Sequence, residues 1–411
     1  MSPELVDFLN IIFRYVHVVA AIMWIGNSLL FTWMEINFVK DPEKGEDSLG
    51  EMNMLHAGGV YFLEKRVLDP DNIPPKLHVF KWQSYTTWIS GFILLIAVFY
   101  SRPGTLLLDP SKSSMVGWQA TVISLFSLVL AWVAYDLILR SPLRKNPPAA
   151  IAAGLVLLTV YALWIDGFFS NRFVYLQIGA MLGTIMSANV RFVIIPNQKK
   201  IMENLKAGRP HDLEIGRQAK LRSLTNHYVT FPVIFLMLSA HFPSLYGDPY
   251  YLAIAAVIAV CLIIIKWMMN LYHHFSDWAF VIFATLVLGS FTVFGIKMLS
   301  GSGGTGGPDG PALAADHPIE LGKALFTGNG CNACHQQADS TIAPSLYGIH
   351  GVERRLASGE SVVADERYLK ESILYPQVKI VEGYAASMPG YEKVFSEEEV
   401  THLIAYLQSL E

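Results

Sequence analysis

Cys331, Cys334 and His335 stand in the order Cys-x-x-Cys-His within "GKALFTGNGCNACHQQ". That spacing suits covalent attachment of a c-type haem, with two thiols for the thioethers and an adjacent imidazole for the iron. A second axial ligand must come from farther along the chain, and methionine is the usual one where a high potential is wanted. The chain after the motif has a single methionine, Met388, in "SMPGY". Its rivals are His350, in a Gly-flanked loop, and His402, inside a last helix that opens with a capping box of Ser396 and Glu399. A zinc half-site would need further cysteines. The third and last cysteine, Cys261, sits alone in an apolar run, where an inert buried thiol is expected.

A second set of reactive side chains interrupts the apolar segments before Ser300. Ionisable residues there are functional hypotheses by default. Sorted by depth, they fall into two groups. One contains His17, His241, Asp166 and Arg172. The other contains Glu35, His78, Asp136, Asn189, Arg191, His227, Lys266, Asn270, His273 and His274. The second mixes cations, amides and histidines, a combination able to hold a planar polar anion and take its proton. Its expected catalytic residues are His227 as general base, Arg191 or Lys266 as counter-charge, and Asn189 or Asn270 reading a ring edge. His17 and His241 suit a cofactor, a b-type haem or another relay. The competing readings are that Lys266 and Arg191 snorkel to a headgroup layer, and that His17 only hydrogen-bonds a neighbouring helix.

The elements that must carry these residues are apolar. Of 411 residues, 53% are hydrophobic and 16% charged, against about 25% charged in soluble domains. A membrane-crossing helix needs about 20 mostly apolar residues. Eight segments qualify, near 8–33, 79–100, 116–139, 149–166, 173–195, 226–243, 250–270 and 278–299. The first lacks a basic leader and is too long for a signal-peptide core, so it is expected to be retained. Lysine and arginine crowd the loops after the first, third and fifth segments, which places both ends of the chain outside. Covalent haem attachment on the outer face of bacterial membranes gives the same topology, an inner-membrane protein with a periplasmic tail. A net charge of −4 without a basic stripe gives no support for nucleic-acid binding, and no nucleic-acid partner is expected. The expected domains are a catalytic bundle over 1–299, a flexible Gly-rich linker over 300–316 and a haem domain over 317–411. The fold class is all-α: a polytopic eight-helix transmembrane bundle plus a small class I cytochrome c domain. "APSLYGI" in the tail resembles the Pro-containing loop packed on the haem edge in that class.

The whole pattern resembles the bacterial membrane-bound urate oxidases. It consists of eight spans, "RYVHVVAAIMWIGNSLLFTWMEIN" at the start, the Gly-rich linker and the terminal "CNACH" domain. The resemblance implies oxidation of urate to 5-hydroxyisourate without hydrogen peroxide. It also implies that electrons leave through the c haem to a soluble cytochrome c or a terminal oxidase. Cys331, Cys334, His335 and Met388 carry over as the haem residues, and no family motif assigns urate ligands in the spans. "HVVAAIMWIG" is similar to small membrane haem proteins, among them a protoporphyrinogen oxidase family, and by that analogy His17 is a haem-ligand candidate. Three other classes compete: a cytochrome-bearing subunit of a respiratory oxidase or quinol dehydrogenase, a membrane transporter or assembly factor with an accessory electron carrier, and a dehydrogenase for another small substrate.

Overall fold

A computed structural model describes residues 3–302, apart from 46, 75, 102, 110–111, 210–211 and 273. It also describes 318–410, apart from 329–330, 336–338, 340–342, 385, 387 and 393. Of the expected linker, 300–302 still belong to the last long helix of the bundle, and 303–316 fall outside the described residues, as does His273.

The long helices of the first 302 residues are α1 (Pro3–Asn37), α2 (Trp82–Leu94), α4 (Gly117–Arg140), α5 (Pro147–Asp166), α6 (Asn171–Asn189), α7 (Ile195–Lys206), α8 (Leu213–Ser239), α10 (Tyr251–Leu271) and α11 (Trp278–Ser302). Short α3 (Pro103–Leu106) and α9 (Pro243–Tyr246) cap one end. Helices α6 and α7 form one continuous rod through a π-helical turn, Val190–Ile194. That wider turn precedes Pro196, whose missing N–H the helix must accommodate.

Among the described residues, seven helical rods are long and apolar enough to cross a membrane, and α8 is the eighth long helix. It falls short on hydropathy because it buries Arg222, Asn226, His227 and Thr230 against protein. It also begins at Leu213, well before the expected 226, capped by the Asp212 carboxylate, which accepts from Glu214 N and Ile215 N.

Contacts between chain-distant residues define the two ends of the bundle. At one end, Glu35 pairs with Lys65 and with Lys220, and Arg144 pairs with Glu214. At the other, Leu108 bridges Phe169, Lys112 Nζ donates to Asp166 (2.5 Å) and Asn171 (2.7 Å), and Lys297 Nζ donates to Ser244 O. The second is called the linker end, because α11 runs out there. The first is called the hairpin end, because the stretch between α1 and α2 folds there as an antiparallel hairpin. Its strands are β1 (Ser48–His56) and β2 (Gly59–Arg66). The hairpin departs from the expected plain basic loop. Its turn residues Ala57 and Gly58 both have positive φ, the geometry that matches strand twist in a two-residue turn.

Bundle packing uses small and hydrogen-bonding residues, as membrane interiors do. Gly179 lets α8 approach, since a Cβ there would stand 3.1 Å from Leu236 Cβ. Ser124, Ser127, Tyr161 and Gln177 form a buried hydrogen-bonded cluster joining α4, α5 and α6.

The tail packs α12 (Pro318–Gly328) across α15 (Glu397–Gln408), with α13 (Cys331–Cys334) and α14 (Glu366–Leu374) beside them. A Cβ on Gly322 would overlap the His402 carbonyl, so only glycine allows that crossing. Phe326 and Tyr406 meet across it at 5.3 Å, over a core that includes Leu369, Val400, Leu403 and Ile404. The expected capping box at Ser396 and Glu399 is present at the start of α15.

Candidate functional site

The haem motif lies on α13 and the residue after it. His335 Nδ1 donates to Pro344 O at 2.8 Å, the loop expected to pack on the haem edge. That bond fixes the imidazole and leaves Nε2 for iron, the usual outer-shell arrangement of a metal-binding histidine. Burial holds the imidazole below its ordinary pKa and keeps it neutral. Cys331 and Cys334 are half-buried and not joined by a disulfide, with burial pushing the Cys331 thiol up to about 11. For Cys334, burial also raises the thiol and the Arg172 guanidinium opposes it. Met388 is half-buried in a loop held by Gln377, whose Nε2 donates to Ala386 O (3.2 Å) and Met388 O (3.0 Å). Of its rivals, His350 is exposed and bonded to Gln408, and His402 stands on α15, where its backbone carbonyl packs on Gly322. Two thiols outside any disulfide, an oriented histidine and a tethered thioether fit a c haem.

The polar residues of the bundle separate into two networks. One surrounds Arg222 on α8. Its Nη2 donates to Asp136 Oδ1 at 2.5 Å, and its Nη1 to Asn189 Oδ1 at 3.3 Å. Asp136 also pairs with Arg140 at 2.6 Å. The Asn189 amide donates to Tyr135 Oη and to Asn226 Oδ1. Every polar atom of the fully buried Asn189 side chain is therefore taken within this network.

The second network lies around His227, on the same helix and one residue beyond Asn226. His227 is 2% exposed. Its Nδ1 meets Thr32 Oγ1 of α1 at 3.0 Å, and its Nε2 meets the Asn270 amide of α10 at 3.1–3.2 Å. Lys266 stands one turn before Asn270, hence on the same face of α10. It is 1% exposed and lies within electrostatic reach of His227. Its Nζ sits 5.0 Å from the Phe231 ring, one turn beyond His227 on α8. Among the described residues it has neither a hydrogen-bond acceptor nor a carboxylate. Pro232, next to Phe231, lies inside α8 and removes the helical partner of the Tyr228 carbonyl. Below, Trp33 Nε1 donates to Tyr272 Oη at 2.8 Å and ties α1 to the end of α10.

Of the four expected catalytic residues, His227 and Lys266 come together, and the expected alternative Asn270 joins them. Asn189 belongs to the neighbouring network. Arg191 is exposed, stacked on Phe192 at 5.7 Å, as a snorkelling side chain would be. Lys266 is not a snorkelling residue, because its ammonium points into protein. Sequence reasoning missed Arg222 and Thr32. Arg222 read as a loop residue, yet it stands four positions before Asn226 and so shares its helix face, a signal that was available.

The two expected cofactor histidines lie apart. His17 Nδ1 meets Thr87 O (2.8 Å) and Ser90 Oγ (3.2 Å) of α2, with its ring against Gly91. His241 is exposed in the turn after α8. No described contact links them.

Residues 3–296 match the family model described as urate oxidase N-terminal, and residues 319–411 match that of cytochrome c. No curated protein sequence matches the chain.

Proposed function

The chain belongs to the urate oxidase N-terminal family, joined to a cytochrome c domain, and from that premise we propose that it oxidises urate to 5-hydroxyisourate in the membrane without forming hydrogen peroxide. The coarser statement is plain: this is a multi-pass membrane oxidoreductase whose domains fit a urate-oxidising, cytochrome-linked role. The observation that carries the finer reading is Lys266. A buried ammonium with no anionic partner is costly unless a ligand supplies the charge, and urate at neutral pH is a monoanion.

In this reading Lys266 balances the urate charge, and Asn270 hydrogen-bonds the ring edge. Phe231 offers a flat apolar surface to the purine. His227, fixed on one side by Thr32, takes a proton through Nε2. Urate and one water give 5-hydroxyisourate, two protons and two electrons, and water supplies the new oxygen. Cys331, Cys334, His335 and Met388 would hold a c haem, which would supply one-electron transfer. The periplasmic face of a bacterial inner membrane, with a soluble cytochrome c or terminal oxidase as acceptor, completes the proposal.

Fifteen residues of α10 separate Lys266 from Tyr251 at the linker end, about 22 Å along the helix. A relay group between them belongs to the same proposal. His17, with Nδ1 bonded to Thr87 O, presents Nε2 for it.

The test is anaerobic addition of urate to oxidised protein while the c-haem bands are followed. Reduction by urate and not by xanthine is expected, with a fall of about 10²–10⁴ in rate for His227→Gln. Haem that stays oxidised with urate but is reduced by dithionite would remove the reading. The same spectrum reveals any b-type haem, and His17→Ala should then abolish it.

A further inference from the structure

At the hairpin end, a cavity of about 670 Å³ opens between α4, α8, the start of α7 and the helical turn Pro142–Lys145. It is independent of the Lys266 network. Its polar wall consists of Arg140, Arg144, Lys145, Arg217 and Arg222, with Glu214 as its carboxylate and the amides of Asn197 and Gln218 beside them. Glu214 is shared by Arg144 and Arg217, each at 3.1 Å, and Asp136 behind the wall by Arg140 and Arg222. Five cations thus face two carboxylates. Lys145 has no acceptor among the described residues.

The remaining wall is apolar. Leu139, Leu221 and Phe192 line the cavity. Phe192 is 56% exposed, and Leu137 on the preceding turn of α4 is 61% exposed. These side chains lie where the apolar run of α4 gives way to Arg140, its last residue. The cavity therefore has excess positive charge at the height where acyl chains meet headgroups, and a lipid-facing rim. A soluble anion would answer the charge and leave the rim uncovered. A phospholipid answers both. Arginine forks match phosphate oxygens pairwise, and basic pockets between membrane helices are the usual seats of anionic headgroups.

We propose that this cavity binds the headgroup phosphate of an anionic phospholipid, with its chains running down over Phe192 and Leu137. The bound headgroup would join the turn between α4 and α5 to the first turns of α8. Arg222, in the same wall, bonds Asn189, whose amide reaches Asn226 next to His227. The lipid thus sits at the outer end of the network that holds α8 in register.

The experiment uses the full-length, haem-loaded protein in detergent, delipidated and then mixed with dioleoyl phosphatidylglycerol or dioleoyl phosphatidylcholine. Native mass spectrometry reads retention, and thermal unfolding reads stabilisation. Phosphatidylglycerol should be retained and should raise the unfolding temperature, and phosphatidylcholine should not. The double substitution Arg144→Gln, Lys145→Gln should weaken retention by about tenfold or more. It removes one exposed ion pair, which contributes little to folding, so its lipid-free unfolding temperature should match wild type. Lys199→Gln, Lys200→Gln on exposed α7 removes the same charge elsewhere and should retain lipid normally. Equal loss in both double variants would mean a general charge effect and overturn the proposal. Equal retention of the two lipids would also overturn it. Displacement of phosphatidylglycerol by millimolar inorganic phosphate, with the same thermal shift from phosphate alone, would assign the cavity to a free anion and overturn the lipid.

Discussion

Arg222 and Lys266 are both buried cations in the bundle, each 5.0 Å from an aromatic ring, Tyr135 for one and Phe231 for the other. They differ in what else they meet. Arg222 has Asp136 at 2.5 Å and the Asn189 carbonyl oxygen at 3.3 Å, so its charge is answered inside the protein. Lys266 has an aromatic face and a histidine–asparagine pair beside it, and no carboxylate among the described residues. Burial alone does not separate structural from functional charge, since both residues are almost fully covered. The unbalanced charge separates them. A closed network holds helices together, and in the proposed function the open one receives the substrate anion.

The largest expected effect lies in the closed network. Asp136→Asn leaves Arg222 buried with an unanswered charge, which costs about 3–5 kcal/mol. Thermal unfolding of the detergent-purified protein should show a large fall, with the cytochrome domain's haem spectrum unchanged. An unchanged unfolding temperature would mean that Asp136 and Arg222 do not form the strut described.

The next is Lys266→Met, where the comparison predicts opposite signs for stability and activity. Removing an unpaired buried ammonium should leave unfolding unchanged or raise its temperature. Losing the counter-charge of a desolvated anion costs about 2–5 kcal/mol in binding, so urate-driven haem reduction should need at least about thirtyfold more urate. If this variant instead unfolds like Asp136→Asn, Lys266 is a structural residue and the open network is not a substrate site.

These two networks also show where reading the sequence stops. The haem domain was legible because its chemistry is local. Cys331, Cys334 and His335 fall within five consecutive residues, and the tail has one methionine as the expected second ligand. The spans were legible from apolar length, except that α8 began early. Its polar half is invisible to hydropathy because it is buried by other helices. The residue types of the site, His227, Lys266 and Asn270, could be selected as intramembrane polar groups. Their pairing could not. Arg222 and Asp136 are 86 residues apart, His227 and Asn270 are 43 apart, and Thr32 reaches His227 across 195. Helix periodicity places residues on a face of their own helix, and only tertiary packing decides which faces meet. Arg191 and Asn189 were candidates of the right chemical type, but their helix turns them to the exterior and to the neighbouring network.

Asn270→Asp converts the open network into a closed one with a single atom change. The new carboxylate stands one helical turn from Lys266 and in contact with His227 Nε2, where the amide is now. It should answer the Lys266 charge and stabilise the fold. It should also repel urate, weakening binding by about tenfold to a hundredfold through like-charge proximity. A titration of urate against c-haem reduction reads the second effect, and the unfolding temperature reads the first. Asn270→Ala provides the control, since it loses the hydrogen bond without adding charge. Weakening in both variants to the same degree would mean that the amide, and not the charge balance, governs the site.

The smallest effect concerns Thr32, which would touch no substrate. Its hydroxyl, 3.0 Å from His227 Nδ1, holds the ring so that Nε2 faces Asn270. A neutral hydrogen bond of this kind contributes about 1 kcal/mol, so Thr32→Val, which keeps the shape and removes the hydroxyl, should slow haem reduction by about fivefold. Because the bond acts on the base and not on the anion, the loss should appear in the limiting rate with the urate concentration at half-maximum unchanged. That is the reverse of Lys266→Met, where the concentration dependence moves. Thr32→Ser restores the hydroxyl and should restore the rate. A shift in apparent urate affinity for Thr32→Val would show that His227 and Lys266 hold the anion jointly, and the division between a charge-balancing lysine and a proton-accepting histidine would then fail.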